Sequence, residues 1–190
     1  MLMMSTSQNH AQTQQTDALC EHCLAQMAQG DMAALEKLYA CTNAAVYGFA
    51  LSILRQPQSA EDVMQDTYVA VYSNAASYRP MGKPMAWILT IVRNLARMRL
   101  RKKSGTDTPL EDSPAPPPTA GFEQNTLDRL VLQAALGILG DDERQIVMLH
   151  SLTGLKHREI AALLELPLGT VLSKYRRALP KLQNYLKEEA

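Results

Sequence analysis

Aromatic residues are scarce in this chain: Phe, Trp and Tyr together make up 5% of 190 residues, against 46% apolar residues overall. Ala, Leu and Met must therefore fill the core, which favours helices over strands. Long apolar runs are missing too. None reaches the roughly 18 residues that span a bilayer, and the start, with Gln8, Asn9, Gln12, Gln14 and Gln15, lacks the apolar stretch of a signal peptide. These absences argue against membrane insertion and point to the cytoplasm. Cysteines number three. Cys20-x-x-Cys23 encloses His22, but no second pair or partner histidine stands at zinc-site spacing, so Cys20, Cys23 and Cys41 read as reduced, buried, small apolar side chains. There is no Gly-rich phosphate loop and no nucleophile–base pair, and His10, His22, His150 and His157 lie apart in the sequence. No metal, cofactor or catalytic chemistry is expected.

Net charge is zero as well, and only its distribution is informative. Arg79–Lys103 holds eight Lys or Arg and no acid; Leu166–Lys187 holds five, again without an acid; Gln56–Tyr78 carries Glu61, Asp62 and Asp66 and no base. Thirteen of nineteen cations thus fall in two short runs, which predicts two separate positive surfaces able to attract phosphate and release counterions. Either run alone could be a solvated helix face; two of them on two modules favour DNA.

Residues 1–16 are polar and low in complexity, a composition that predicts disorder. From Asp17, Leu19, Cys23 and Met27 recur at helical spacing, and Gly30-Asp31 stops that helix and caps the next. Leu35, Leu38, Val46, Phe49, Ala50 and Ile53 carry the period to Leu54. Ser59 is an N-cap candidate for a third helix, with Glu61 and Asp62 in its first turn, and a fourth helix is expected from about Met85 to Lys103. Residues 104–121 hold five of the ten prolines and no apolar period, the texture of a linker that reaches roughly 55–60 Å when extended. Beyond it, Leu127, Leu130, Val131, Ala134 and Ile138 form a stripe, and Asp141 or Asp142 caps a helix with Ile146, Val147 and Leu149. A turn at Thr153-Gly154, a short helix Arg158–Leu164, a tight connection through Pro167, and a basic helix from Leu168 outline a helix-turn-helix. Pro180 should kink or end that last helix near Leu179. The expectation is an all-α protein of two small helical domains, 17–103 and 122–190, joined by the proline-rich linker 104–121.

Three segments carry the functional signal. On the third helix Asp62, Gln65, Asp66 and Val69 lie at i, i+3, i+4 and i+7, a mixed acidic and amide stripe that can pair with another helical surface. The loop Tyr78–Pro84 and the helix after it present Arg79, Lys83, Arg93, Asn94, Arg97, Arg99 and Arg101. Asn94 can make paired hydrogen bonds to an adenine edge, and arginines can grip phosphates or stack on exposed bases. Trp87 reads as core and Tyr78 as the better stacking platform. On the last helix Val171, Tyr175, Ala178 and Leu182 make a core stripe, while Thr170, Lys174, Arg177 and Lys181, flanked by Ser173 and Arg176, make an outward one.

Ala60-Glu61-Asp62-Val63-Met64-Gln65-Asp66-Thr67-Tyr68 resembles region 2.2 of the sigma-70 family. Trp87-Ile88-Leu89-Thr90-Ile91-Val92-Arg93-Asn94 resembles the join of regions 2.3 and 2.4. Glu159-Ile160-Ala161 with Gly169-Thr170-Val171-Leu172-Ser173-Lys174 resembles region 4.2. The segments stand in the family's order over roughly Asp17–Lys103 and Phe122–Lys187, with no sign of a region 1.1 or region 3, as in the extracytoplasmic-function (ECF) group. The resemblance implies that Glu61, Asp62, Gln65, Asp66 and Val69 bind core RNA polymerase. It implies that Tyr78, Arg79, Lys83, Arg93, Asn94, Arg97 and Arg101 bind the melted −10 element, and that Thr170, Ser173, Lys174, Arg176, Arg177 and Lys181 bind the duplex −35 element. It also implies an anti-sigma partner. Leu172 and Leu179 stand where the family usually carries basic residues, which suits a protein partner. Two rival readings remain: a stand-alone helix-turn-helix regulator, and a sigma-like decoy that binds partners but no promoter.

Overall fold

A computed structural model describes residues 4–104 and 137–188, and among these every regular element is a helix. Helices α1 (Met4–Met27), α2 (Ala33–Leu54), α3 (Pro57–Asn74) and α4 (Pro84–Ser104) form the first module, with a 3₁₀ turn at Ala75–Ser77. Helices α5 (Asp141–Thr153), α6 (His157–Leu164) and α7 (Leu168–Glu188) form the second. Of the stripe expected at Leu127, Leu130, Val131, Ala134 and Ile138, Ile138 is described and is exposed rather than core; the other four and most of the linker lie outside the described residues.

Local chemistry explains most boundaries. Gly30 takes φ +90°, which ends the turn after α1, and the Asp31 carboxylate accepts the Ala33 amide at 2.8 Å to start α2. Pro57 opens α3 as its first residue, where a missing N–H costs nothing. Ser59 therefore lies inside the first turn, donating to Gln56 Oε1 at 2.9 Å, and is not the N-cap expected. Glu61 and Asp62 accordingly fall beyond that turn. Likewise Gly140, not an aspartate, caps α5; the Glu143 carboxylate reaches back to its amide at 3.3 Å, and Asp141 and Asp142 lie in the first turn. Gly154 closes α5 in the left-handed conformation, as its position in Thr153-Gly154 predicts.

Two helices run further than composition alone suggests. Helix α1 begins at Met4, so the segment read as disordered is helical from that point. Once the turns at Cys20–Met27 are anchored, propagation through Gln, Ala and Thr costs little per residue. Helix α7 runs through Pro180. Buried Ala178 precedes the proline, and Lys181 after it pairs with Glu143 of α5 at 2.7 Å, so tertiary contacts hold both sides of the lost hydrogen bond.

The central helix is α2, packed against α1, α3, α4 and α5. Its Leu38, Val46 and Phe49 meet Leu24 of α1, Val63 and Val71 of α3, and Ile88, Leu89 and Val92 of α4, all fully buried. Each such side chain contributes roughly 1.5–3 kcal/mol through burial. On α1 the buried stripe is Cys20, Cys23, Leu24 and Met27, whereas Leu19 is exposed. Cys41 is exposed too, unlike the other two thiols, and all three are free. The same apolar cluster continues into the second module through Ile146, Leu149, Ile160, Leu163, Leu164 and Val171. The modules are thus packed together, though the linker has the reach to part them. Gly48, buried in mid-α2, permits the approach: a Cβ there would stand 2.5 Å from Leu152 Cδ1 and 2.9 Å from Met148 Cε of α5. Arg144 of α5 is buried in the seam, donating to the Ser52 carbonyl at 3.3 Å and the Leu139 carbonyl at 2.6 Å. Arg55, the left-handed residue that closes α2, reaches Asp141 at 2.5 Å.

Candidate polymerase and promoter interface

The polymerase-facing stripe lies along α3. Gln65, Asp66 and Val69 are exposed, Val69 at 67%, while Glu61 and Asp62 are half-buried. Asp62 is held by an ion pair to Arg99 of α4. That pair ties α3 to α4 beside the stripe, a contact that spacing alone does not reveal because the two residues are far apart in sequence. Beneath the face, the Thr67 hydroxyl donates to the Val63 carbonyl at 2.7 Å, and the Tyr68 and Thr42 hydroxyls share a hydrogen bond at 2.8 Å. The buried hydroxyls of Thr67, Thr42 and Tyr68 behind the face are thus each hydrogen-bonded.

The second surface is the loop after α3 and the face of α4. Tyr78 lies against Trp87 with ring centroids 5.2 Å apart, and both pack half-buried on the core. Trp87 is the core residue expected; Tyr78 is more enclosed than a free stacking platform. Glu21 of α1 organises the loop by accepting the Tyr78 hydroxyl at 3.0 Å and the Gly82 amide at 2.8 Å. Burial, and then Glu21 itself, push the Tyr78 phenol up to about 12. No motif marks Glu21, since its partners are about sixty residues away. Arg79, Asn94 and Arg101 are exposed and lack an acidic partner among the described residues.

Arg93, Arg97 and Lys83 behave differently. The Arg93 side chain is 6% exposed and donates to the Leu164 carbonyl at 3.0 Å and the Glu165 carboxylate at 2.9 Å; Arg97 approaches the same carboxylate at 3.6 Å. Lys83 pairs with Glu159 of α6 at 3.1 Å. The Arg93 hydrogen bond and charge hold the Glu165 carboxyl down at about 2. Burial alone would raise Glu159, but the Lys156 amide and Lys83 bring it below the usual range. Between the loop and α6 lies a cavity of about 480 Å³ lined by Tyr78, Arg79, Lys83, Trp87, Thr90 and Glu159 among others.

The third surface is the outward face of α7. Ser173, Arg176, Arg177 and Lys181 are exposed, and Thr170 and Lys174 half-buried. Lys174 pairs with Asp142 at 3.0 Å and Lys181 with Glu143 at 2.7 Å, so two of the four cations are already engaged by the start of α5. Lys181 is what mainly keeps the Glu143 carboxyl low. Val171 and Ala178 are buried, with Tyr175 and Leu182 packed beside them, as the core stripe requires. Tyr175 also meets His150 and His157, whose rings stack at 4.7 Å. Leu168, Leu172 and Leu179 remain exposed at 42%, 37% and 36%.

A four-helix module carrying an acidic stripe and a basic helix, followed by a helix-turn-helix, defines a recognisable class. Residues 38–106 match the family described as Sigma-70 region 2, and residues 129–182 match Sigma-70, region 4. The ECF RNA polymerase sigma factor SigK of Mycobacterium sp. (strain KMS) is 31% identical over 170 residues, covering 86% of this chain and 88% of that protein. The RNA polymerase sigma factor CarQ of Myxococcus xanthus is 31% identical over 161 residues, covering 84% and 92%. Among solved structures, the sigma factor RpoE in complex with the anti-sigma factor NepR from Bartonella quintana superposes with a TM-score of 0.63 at 29% identity, covering 80% of this chain and 94% of that one. CnrH in complex with the cytosolic domain of CnrY superposes at 0.61 with 25% identity, covering 90% and 99%. The chain belongs to the sigma-70 family, in its ECF group.

Proposed function

We propose that the protein binds core RNA polymerase through α3, directs it to promoters with a −10 and a −35 element, and is restrained by an anti-sigma factor. The observation that carries this is the presence, in one chain, of three surfaces with separate chemistry. They are the exposed Gln65–Asp66–Val69 stripe, the basic α4 with its loop, and the basic outward face of a helix-turn-helix. A stand-alone regulator would need only the last of these. The work is binding and strand capture rather than catalysis, and it belongs in the cytoplasm with polymerase; among the described residues no helix is long and apolar enough to cross a membrane.

On this reading Asn94 and Arg101 meet the exposed −10 strand, with Arg79 on the approaching phosphates. Arg176 and Arg177, with Ser173 and Thr170, face the −35 major groove. The exposed Leu168, Leu172 and Leu179 give an anti-sigma segment an apolar strip on the same helix. One of the similar solved structures, RpoE from Bartonella quintana, is a complex with an anti-sigma factor, and another, CnrH, is a complex with the cytosolic domain of CnrY. The test is run-off transcription with purified core polymerase on the promoter upstream of the protein's own gene. A transcript made only when the protein is present is expected; a transcript unaffected by it overturns the proposal.

A further inference from the structure

We infer that Glu21 of α1 is a positioning residue for capture of the −10 strand: from outside the loop at 78–84 it holds that loop in the one shape that discriminates between bases. The inference rests on the sigma reading above, because it is that reading which gives the loop to DNA.

The loop has little to fix it from within. Between the 3₁₀ turn that ends at Ser77 and the start of α4 at Pro84 it contains no regular element. Gly82 stands at φ +67°, and Arg79, Met81 and Lys83 all reach solvent, Met81 at 77% exposure. Such a chain samples many shapes unless something outside it decides. Glu21 does so. Its neighbour Cys20 and, one turn on, Leu24 are buried in the core, so the backbone beneath the carboxylate is fixed. One oxygen, Oε1, accepts both the Tyr78 hydroxyl at 3.0 Å and the Gly82 amide at 2.8 Å. These donors come from the start of the loop and from near its end, so a single acceptor closes it. The Met81 and Lys83 amides act on the Tyr78 oxygen in turn, and the Tyr78 ring is braced on Trp87 with centroids 5.2 Å apart. The successive amides of Met81, Gly82 and Lys83 are thus engaged by one carboxylate–phenol pair, which leaves the Arg79 and Met81 side chains on the outside.

A carboxylate is otherwise a poor neighbour for a nucleic-acid strand, since its charge repels phosphate. If charge were its whole effect, removing it would tighten DNA binding. The two hydrogen bonds predict the opposite sign. Ordering the loop before DNA arrives reduces the entropy lost on binding. A loop of one shape also penalises a wrong base that a pliable loop would accommodate.

The test uses the full chain bound to core polymerase and a labelled single strand from the −10 region upstream of the protein's own gene, together with its single-base variants. Core affinity and binding to a −35 duplex are measured alongside. Glu21→Ala should weaken capture of the native strand about five- to tenfold and erase most of its preference over the single-base variants, with core and −35 affinity unchanged. Glu21→Gln keeps a carbonyl oxygen in place of Oε1 and loses only the charge, so it should stay within about twofold of wild type and retain the preference. Tyr78→Phe should lose part of the preference, and adding Glu21→Ala to it should cost less than Glu21→Ala alone. Tighter binding by Glu21→Ala would reduce Glu21 to a repulsive charge. Equal weakening by the Ala and Gln variants, or losses shared with core and the −35 duplex, would make the charge or the fold the cause and overturn the positioning role. If the wild-type holoenzyme does not prefer the native strand to a scrambled one, the sigma reading fails and the role of Glu21 falls with it.

Discussion

Asp17 shows how one carboxyl can report on the packing of the two modules against each other. Burial lifts it to about 6, and the nearby charges of Glu159 and Glu21 add to the rise. An acid whose folded pKa is raised stabilises the fold while protonated and loses that contribution as pH rises through the folded value. The Asp17 contribution should therefore be lost between about pH 4 and pH 6–7. Asp17→Asn removes that contribution: its thermal midpoint should match wild type near pH 4 and exceed it by a few degrees at pH 7.5. Parallel curves across that range would show that the group is solvated. Residues of this kind were beyond reach of the sequence. Asp17, Glu21, Arg144 and Glu165 matter through partners on other helices, and no local period or motif encodes such pairs. Arg93 was singled out by its motif, but its burial under another module was not legible there.

At the scale of helices, the legible features were those set by local chemistry. Gly30-Asp31, Gly154, the start of the basic helix at Leu168 and the apolar periods of α2 and α7 all follow from backbone freedom, capping and the 3.6-residue repeat. The caps of α3 and α5 differ from expectation because the helices start further upstream: Gln56 precedes Pro57 as the cap of α3, and Gly140 takes the role given to Asp141 or Asp142. The extent of α1 and α7 depends on tertiary anchoring, which overrides composition. The α3 stripe gives an element-level prediction that its ion pair refines. Asp66 is exposed and makes no ion pair among the described residues, so Asp66→Lys should weaken association with core polymerase by about tenfold while leaving helix content and melting unchanged. Asp62→Lys should do both kinds of damage, since it also removes the partner of Arg99. Equal co-purification of Asp66→Lys and wild type with core would move the polymerase contact off this face.

For the whole molecule, the division into two helical modules around a proline-rich linker was readable from composition, and the family resemblance gave each module its expected task. Their close packing was not readable, because it depends on side-chain fit at Gly48, Arg144 and Glu165 rather than on any pattern along the chain. It also determines how the two DNA surfaces should be probed. Arg93 serves both the seam and the proposed DNA contact, so its substitution mixes two effects; Asn94 and Arg101 are exposed and separate them. On the helix-turn-helix, Arg177 is exposed and Lys174 is paired with Asp142, so the former should carry more of the −35 affinity. The most direct measurement is holoenzyme binding, at matched salt, to a fully duplex promoter and to one melted in advance at −10. It compares Asn94→Ala with Arg101→Ala, and Lys174→Ala with Arg177→Ala. The account predicts that Arg177→Ala costs about 1–3 kcal/mol at the −35 element but leaves capture of the melted strand intact, and that Asn94→Ala does the reverse. Equal losses from both on both templates would contradict it, leaving two generic phosphate-binding patches in place of a promoter reader.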